Sequence, residues 1–246
     1  MREPGRLLTG RDAVTLSRGI RVITRDFLAN ADCSTAFGTI ESSLLWSVEQ
    51  RAASLAATLA CRPGGPVWIF GYGSLMWNPA LEYEESATGS LEGWHRAFCL
   101  RLTAGRGTAS QPGRMLALKE GGRTTGVAFR LPEATLEQEL TLLWKREMIT
   151  GCYLPRWCPL RLDDGRTVNA LVFTMDPRHP LYESDTRARV VAPLIAAACG
   201  PLGSNAQYLF SLEQTLGKLG MHDSNLDDLL AEVRAIQGVS GTAPER

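Results

Sequence analysis

Between residues 67 and 175, strand-like runs follow one another with almost nothing helical between them, and that succession limits the fold more than any other feature. Apolar, β-patterned segments cover 67–70, 93–102, 115–119, 124–131, 153–162 and 167–175. Two of their joints, Glu120-Gly-Gly-Arg123 and Asp163-Asp-Gly165, carry hairpin-turn chemistry, because glycine supplies the positive φ that tight turns demand. One helical stretch, 132–148, interrupts the series. Neighbouring parallel strands need a crossover of about a dozen residues or more, usually a helix, so a doubly wound dinucleotide-binding sheet does not fit. The order predicts an α+β protein: a small, mostly antiparallel or mixed β-barrel or sheet with flanking helices. Helical spacing returns at 184–198, 204–219 and 226–236.

Upstream, Ile40, Leu44, Val48, Ala52, Leu55 and Leu59 recur at helical spacing and predict an N-terminal helix. Arg62-Pro-Gly-Gly-Pro66 ends it. Residues 1–25 hold six arginines and two acids without helical periodicity, and are expected to be a disordered extension. The domains expected are this extension, a helical segment and linker at 26–62, a main domain at 67–237, and a tail at 238–246.

Twenty-six basic residues balance 26 acidic ones, which argues against a nucleic-acid partner, whose binding rests on neutralised phosphates. No run approaches 18 consecutive apolar residues, so no membrane helix is expected. The first 25 residues lack the apolar core of a secretory signal. The six cysteines, at 33, 61, 99, 152, 158 and 199, form no Cys-x-x-Cys pair. They read as reduced thiols of a cytoplasmic protein. With three histidines, a multi-histidine metal centre is not expected.

Two places point to chemistry. Phe70-Gly-Tyr-Gly-Ser-Leu75 follows a buried strand, and its glycines can turn backbone N–H groups toward an anion. A strand ending in a plain tight turn reads the same way. The second is on the helix at 132–148. On a helical wheel with Leu136 at the origin, Leu140, Leu143 and Trp144 form one stripe, and Glu147 falls at about 20°, inside it. Lys145 and Arg146 point elsewhere on that wheel. An inward carboxylate in the last turn of a helix has its pKa raised by desolvation and by the helix dipole, as a general base near neutrality requires. A glutamate paired with a core arginine satisfies the wheel equally.

Four ordered motifs, Val67-Trp-Ile-Phe-Gly-Tyr-Gly-Ser-Leu-Met-Trp77, Gln111-Pro-Gly-Arg114, Lys145-Arg-Glu-Met148 and Asn205-Ala-Gln-Tyr-Leu-Phe210, resemble the ChaC family of γ-glutamylcyclotransferases. The resemblance runs from about residue 22 to 237. It implies a γ-glutamylcyclotransferase-like barrel that cleaves glutathione to 5-oxoproline and cysteinylglycine, with no cofactor and no metal. The partner implied is a small-molecule substrate, with neither nucleic acid nor membrane, and a monomer is favoured. By resemblance Glu147 is the catalytic residue. Tyr72, Gly73, Ser74 and Leu75, with Ile69, Phe70 and Gly71 before them, hold the γ-glutamyl moiety, and Tyr208 touches substrate. Met148-Ile-Thr-Gly151 departs from the shorter Lys-Gly-Gly of many relatives, so the loop after Glu147 is expected to be longer. Glutathione has a second carboxylate at its glycine end. Arg96 and Arg114, near the motifs, are the candidates for it, with structural roles as the alternative. Same-fold activity on other γ-glutamyl amines, and a non-enzymatic role in cation transport, stay open as rivals.

Overall fold

The computed structural model describes residues 23–30 and 37–238. Five strands, β1 (Trp68–Gly71), β2 (Glu85–Leu102), β3 (Gly113–Arg130), β4 (Tyr153–Leu162) and β5 (Thr167–Met175), close a barrel in the order β1-β3-β2-β4-β5. Only the β1–β5 seam is parallel; the other pairs are antiparallel. Around the barrel lie α1 (Arg25–Asn30), α2 (Val48–Ala60), α3 (Leu136–Glu147), α4 (Ala188–Ala197), α5 (Asn205–Lys218) and α6 (Asp227–Gln237). A two-stranded ribbon, β6 (Cys199–Gly200) and β7 (Gly203–Ser204), leads into α5. The α+β barrel with flanking helices is therefore the architecture observed.

Side chains on a strand alternate between its two faces, and here both faces are covered. Trp68, Phe70 and Tyr72 join Val172, Ile195, Leu209, Leu212 and Val233 in one core, against α4, α5 and α6. Ile69, Leu171 and Phe173 join Leu140, Leu143 and Trp144 in the other, against α3. Strands covered on both faces read as continuous apolar runs, which is why the 67–70 segment stands out in the sequence.

Glu120-Gly-Gly-Arg123 is not a hairpin. β3 runs straight through it as one strand of 18 residues, with Gly121 and Gly122 at φ of 100° and 70°. The register with β2 slips there, Glu92 pairing with Arg123 and Trp94 with Glu120, while Gly93 stands opposite at φ 81°. The glycines make a bulge that bends both long strands, a device for curving a barrel. Asp163-Asp-Gly165 does reverse the chain, between β4 and β5.

The helix expected from Ile40 begins only at Val48. Ser47 is its N-cap, in a capping box with Gln50, whose side chain accepts from the Ser47 N–H. The stretch before it is a single 3₁₀ turn at Ser42–Leu44 and extended chain. A satisfied cap fixes a helix start even where apolar spacing continues beyond it.

Residues 1–22 of the expected extension, and 239–246 of the tail, lie outside the described residues, as does Cys33. The last residues of that extension belong to the folded body. Arg25 makes a double hydrogen bond to Glu139, at 2.5 and 2.6 Å, and the Glu139 side chain is wholly buried. The Ile23 carbonyl accepts from Asn78 Nδ2 at 3.0 Å.

The loop after α3 is held by this N-terminal segment. Trp46 N–H donates to the Ile149 carbonyl at 2.9 Å, and Arg51 Nη1 donates to the Trp46 carbonyl at 2.7 Å. Gly151 sits at φ 65°, and a Cβ there would overlap the Trp46 indole. Gly151→Ala therefore combines a left-handed backbone with overpacking. We expect a loss of about 2–4 kcal/mol, a thermal midpoint lower by roughly 4–16 °C. An unchanged melting curve would show that Trp46 moves aside freely.

Candidate active site

A cavity of about 210 Å³ opens where the turn after β1, the loop after β2, the start of β3, the end of α3 and the face of α5 converge. Glu147, the last residue of α3, reaches its wall. Its side chain keeps 17% exposure although the residues before it on the stripe, Leu140, Leu143 and Trp144, are buried. Desolvation raises its pKa above the ordinary glutamate value, and Arg146, by charge and by hydrogen bond, pulls partly the other way. The inward placement expected from the wheel is observed.

The expectation for Arg146 fails. It is buried and bends back, Nε lying 3.0 Å from Glu147 Oε1. Nη1 donates to the Asn78 carbonyl at 2.5 Å and Nη2 to Ser74 Oγ at 2.9 Å. A wheel places Cβ atoms, whereas a long side chain at a helix end can curl past the last turn toward unpaired carbonyls. The result locks Glu147 and the glycine turn into one frame. Glu147 is thus both inward-facing and paired with an arginine, combining the two alternatives of the sequence reading.

Of the seven residues expected from the turn, four line the cavity: Tyr72, Gly73, Ser74 and Leu75. Ile69, Phe70 and Gly71 do not; they are β1 core positions, with Ile69 and Phe70 fully buried in opposite cores. Gly73 is required by close approach: a Cβ there would lie 2.8 Å from Tyr208 Oη and 3.3 Å from Leu116 Cδ2. Ser74–Met76 forms a 3₁₀ turn, and the first amides of such a turn have no acceptor within it. Tyr72 itself donates its hydroxyl to the Phe173 carbonyl at 2.7 Å.

Tyr208 lines the cavity from α5, its ring edge-on to Trp77 and Phe98 with centroids 5.4 and 6.3 Å away. Burial first, and the Glu147 carboxylate next, push its hydroxyl up to about 12, against Arg106, the Ser74 amide and Arg146. It is a neutral hydrogen-bonding group at any working pH.

Arg96 and Arg114 are not at the cavity. Arg96 is completely buried and paired with Asp223 at 2.7 Å, donating also to the carbonyls of Tyr72 and Thr125. Arg114 faces Glu183 at 3.4 Å, and its backbone N–H donates to Asn205 Oδ1 at 2.8 Å. Both sit on strands whose register turns them into structural partners, which distance along the sequence does not reveal. The residues missed are Arg101, Arg106 and Tyr153, all lining the cavity. Arg106 had a signal: in Ala104-Gly-Arg-Gly107 it sits between glycines just past a strand end.

Cys152 also lines the cavity, and burial raises its thiol to about 12 and that of Cys99 to about 11. A thiol is a nucleophile only as thiolate. Replacing Cys99, Cys152 or Cys158 by alanine should leave turnover within a few-fold. Abolished turnover in a folded variant would contradict this. Among the described residues no group of three or more His, Cys, Asp and Glu could hold a metal ion, and no helix is long and apolar enough to cross a membrane.

Fold and cavity together define a small closed barrel with a desolvated carboxylate, a glycine turn and buried arginines around a pocket of small-molecule size. The chain belongs to the ChaC-like proteins, whose family model matches residues 67–236. It is 83% identical over 216 residues to the glutathione-specific γ-glutamylcyclotransferase of Escherichia coli strain K12, covering 87% of this chain and 94% of that protein. Glutathione-specific γ-glutamylcyclotransferase 1 of Danio rerio is 36% identical over 152 residues, 60% of this chain and 78% of its own. Among solved structures, a yeast γ-glutamylcyclotransferase specific to glutathione superposes with a TM-score of 0.65 at 22% identity, over 70% of this chain and 97% of that one. This last likeness is one of fold.

Proposed function

We propose that this chain cleaves glutathione to 5-oxoproline and cysteinylglycine. The observation that carries the reading is Glu147, a desolvated carboxylate on the cavity wall tied through Arg146 to the glycine turn. The names of the similar proteins from Escherichia coli and Danio rerio support the same substrate.

The chemistry follows from the substrate. The α-amine of a γ-glutamyl amide can reach its own γ-carbonyl, so the nucleophile is already attached. Well-oriented intramolecular attack reaches effective molarities of about 10⁵–10⁸ M. Glu147 takes a proton from the ammonium, and the amine attacks the carbon of the γ-carbonyl. Negative charge collects on the carbonyl oxygen, where the Leu75 amide at the head of the 3₁₀ turn is the candidate to stabilise it. The C–N bond to the cysteine nitrogen then breaks as Glu147 returns its proton to that nitrogen; the ring nitrogen gives up its second proton, which ends on the departing amine, so the products are a neutral lactam and an ammonium. Tyr208 and the turn 72–75 hold the γ-glutamyl end. The catalytic unit is 67–237, with α1 (Arg25–Asn30) and α2 (Val48–Ala60) packed against its α3. A reducing cytoplasm suits its free thiols, and a monomer suits a cavity that one chain lines.

Purified protein given glutathione should release 5-oxoproline and cysteinylglycine in equal amounts, and other γ-glutamyl amines more slowly. Glutathione left intact would end the reading and favour a non-enzymatic role; equal rates on γ-glutamyl dipeptides would widen the substrate class.

A further inference from the structure

Arg106 is a buried cation on the cavity wall, and the reaction just described gives it no task. It is 8% exposed and lines the pocket. Its loop is packed on all sides: the Gly105 N–H donates to the Phe37 carbonyl at 2.6 Å, and the Gly105 carbonyl accepts from Leu202 N–H at 2.8 Å. One guanidinium nitrogen donates to the Ser204 carbonyl at 3.0 Å, and the group stands 5.8 Å from the centroid of the Tyr208 ring. Among the described residues no carboxylate lies within 4 Å of it, whereas Arg96, Arg114 and Arg146 each have one. A guanidinium carries five N–H donors, and burying such a charge unpaired is costly. Its other nitrogens are not among the sealed, unsatisfied polar atoms of the described residues, and the residue lines the cavity.

Glu147 is paired with Arg146, so Arg106 adds a positive charge to the pocket wall that no carboxylate beside it offsets. Arg101 is a weaker anchor, because it is 45% exposed and faces Glu183 at 3.9 Å. The position of Arg106 says which end of a substrate it meets. Arg146, Glu147 and Ser74 mark the reacting end. The Tyr208 ring, whose hydroxyl abuts Gly73, separates that end from Arg106. In an extended tripeptide the terminal carboxylate lies two residues past the scissile nitrogen, roughly 7 Å away, longer than the 5.8 Å between the guanidinium and the Tyr208 ring centroid.

We propose that Arg106 binds the glycine carboxylate of glutathione by a two-pronged hydrogen bond and thereby selects glutathione over γ-glutamyl compounds lacking that charge. The proposal rests on the reading of function above and replaces Arg96 and Arg114 in the role.

The test compares kcat/KM for glutathione and for its glycine carboxamide, in the wild type, Arg106→Gln and Arg106→Lys. A charge-assisted contact predicts a wild-type preference for glutathione of about 10–150-fold. Arg106→Gln should collapse that ratio toward one, through a raised KM for glutathione, while the amide loses far less. Arg106→Lys, keeping charge without the fork, should retain part of the preference, and it serves if the Gln variant does not fold. Equal losses on both substrates, in whichever variant folds, would make Arg106 structural or a ligand of the γ-glutamyl end, and would overturn the proposal. So would a wild type indifferent to the amide. A wild type that leaves glutathione intact overturns the functional reading itself, and this proposal with it.

Discussion

Glu147→Gln lowers kcat by about 10²–10⁴-fold, the range typical of losing a general base, and leaves a folded protein. The amide keeps the shape and the hydrogen bond to Arg146 Nε, which lies 3.0 Å from Glu147 Oε1, but cannot carry the proton. Burial holds the carboxyl pKa above the ordinary glutamate value, so the acid limb of wild-type kcat/KM should fall above that value. The sign for stability follows. A raised folded pKa means the native state holds the proton more tightly than the unfolded chain; that contribution is full below the unfolded pKa and disappears as pH rises through the folded one. The substitution should therefore weaken the fall of stability with rising pH across that window. Thermal melts over a pH series, alongside steady-state rates, check both halves. Near-normal turnover in the variant would remove Glu147 from the mechanism.

Arg96→Met is expected to be the most destabilising of the substitutions considered. The guanidinium is fully buried and Asp223 is 6% exposed. Removing one partner of a buried pair strands the other charge, at about 3–5 kcal/mol. The carbonyls of Tyr72 and Thr125 also lose a donor. The thermal midpoint should drop by roughly 6–20 °C, with KM for glutathione unchanged in the protein that remains folded. Adding Asp223→Asn should recover part of the loss, because it removes the stranded charge. It also preserves the oxygen that accepts from Asn225 N–H. A raised KM with an unchanged midpoint would return Arg96 to the substrate.

What the sequence reveals is what depends on local spacing. Continuous apolar runs place 67–70 and 170–173 in the barrel, and the helical stripe through Leu136, Leu140 and Leu143 aims Glu147 inward. The glycine turn is legible by its position after a buried strand. Three things are hidden, for different reasons. Gly121 and Gly122 supply positive φ, which suits a bulge and a hairpin alike; only the partner strand, with its slip at Gly93, decides between them. Apolar spacing at Ile40 and Leu44 imitates a helix, although Ser47 and Gln50 already marked the true start. Arginine partners are the least legible of all. Arg96 meets Asp223, 127 residues away, and Arg25 meets Glu139, 114 residues away. Which arginine stays free for a ligand becomes visible only once the structural pairs are known.

The central claim is that glutathione is cut by its own amine, with Glu147 moving the proton, and product analysis in oxygen-18 water tests it most directly. Water takes no part in ring closure. Intramolecular closure yields 5-oxoproline and cysteinylglycine in a one-to-one ratio, the lactam carbonyl unlabelled, and no glutamate. Glutamate carrying oxygen-18 in its side-chain carboxylate would show that water attacks the carbon of the γ-carbonyl, and would contradict the mechanism.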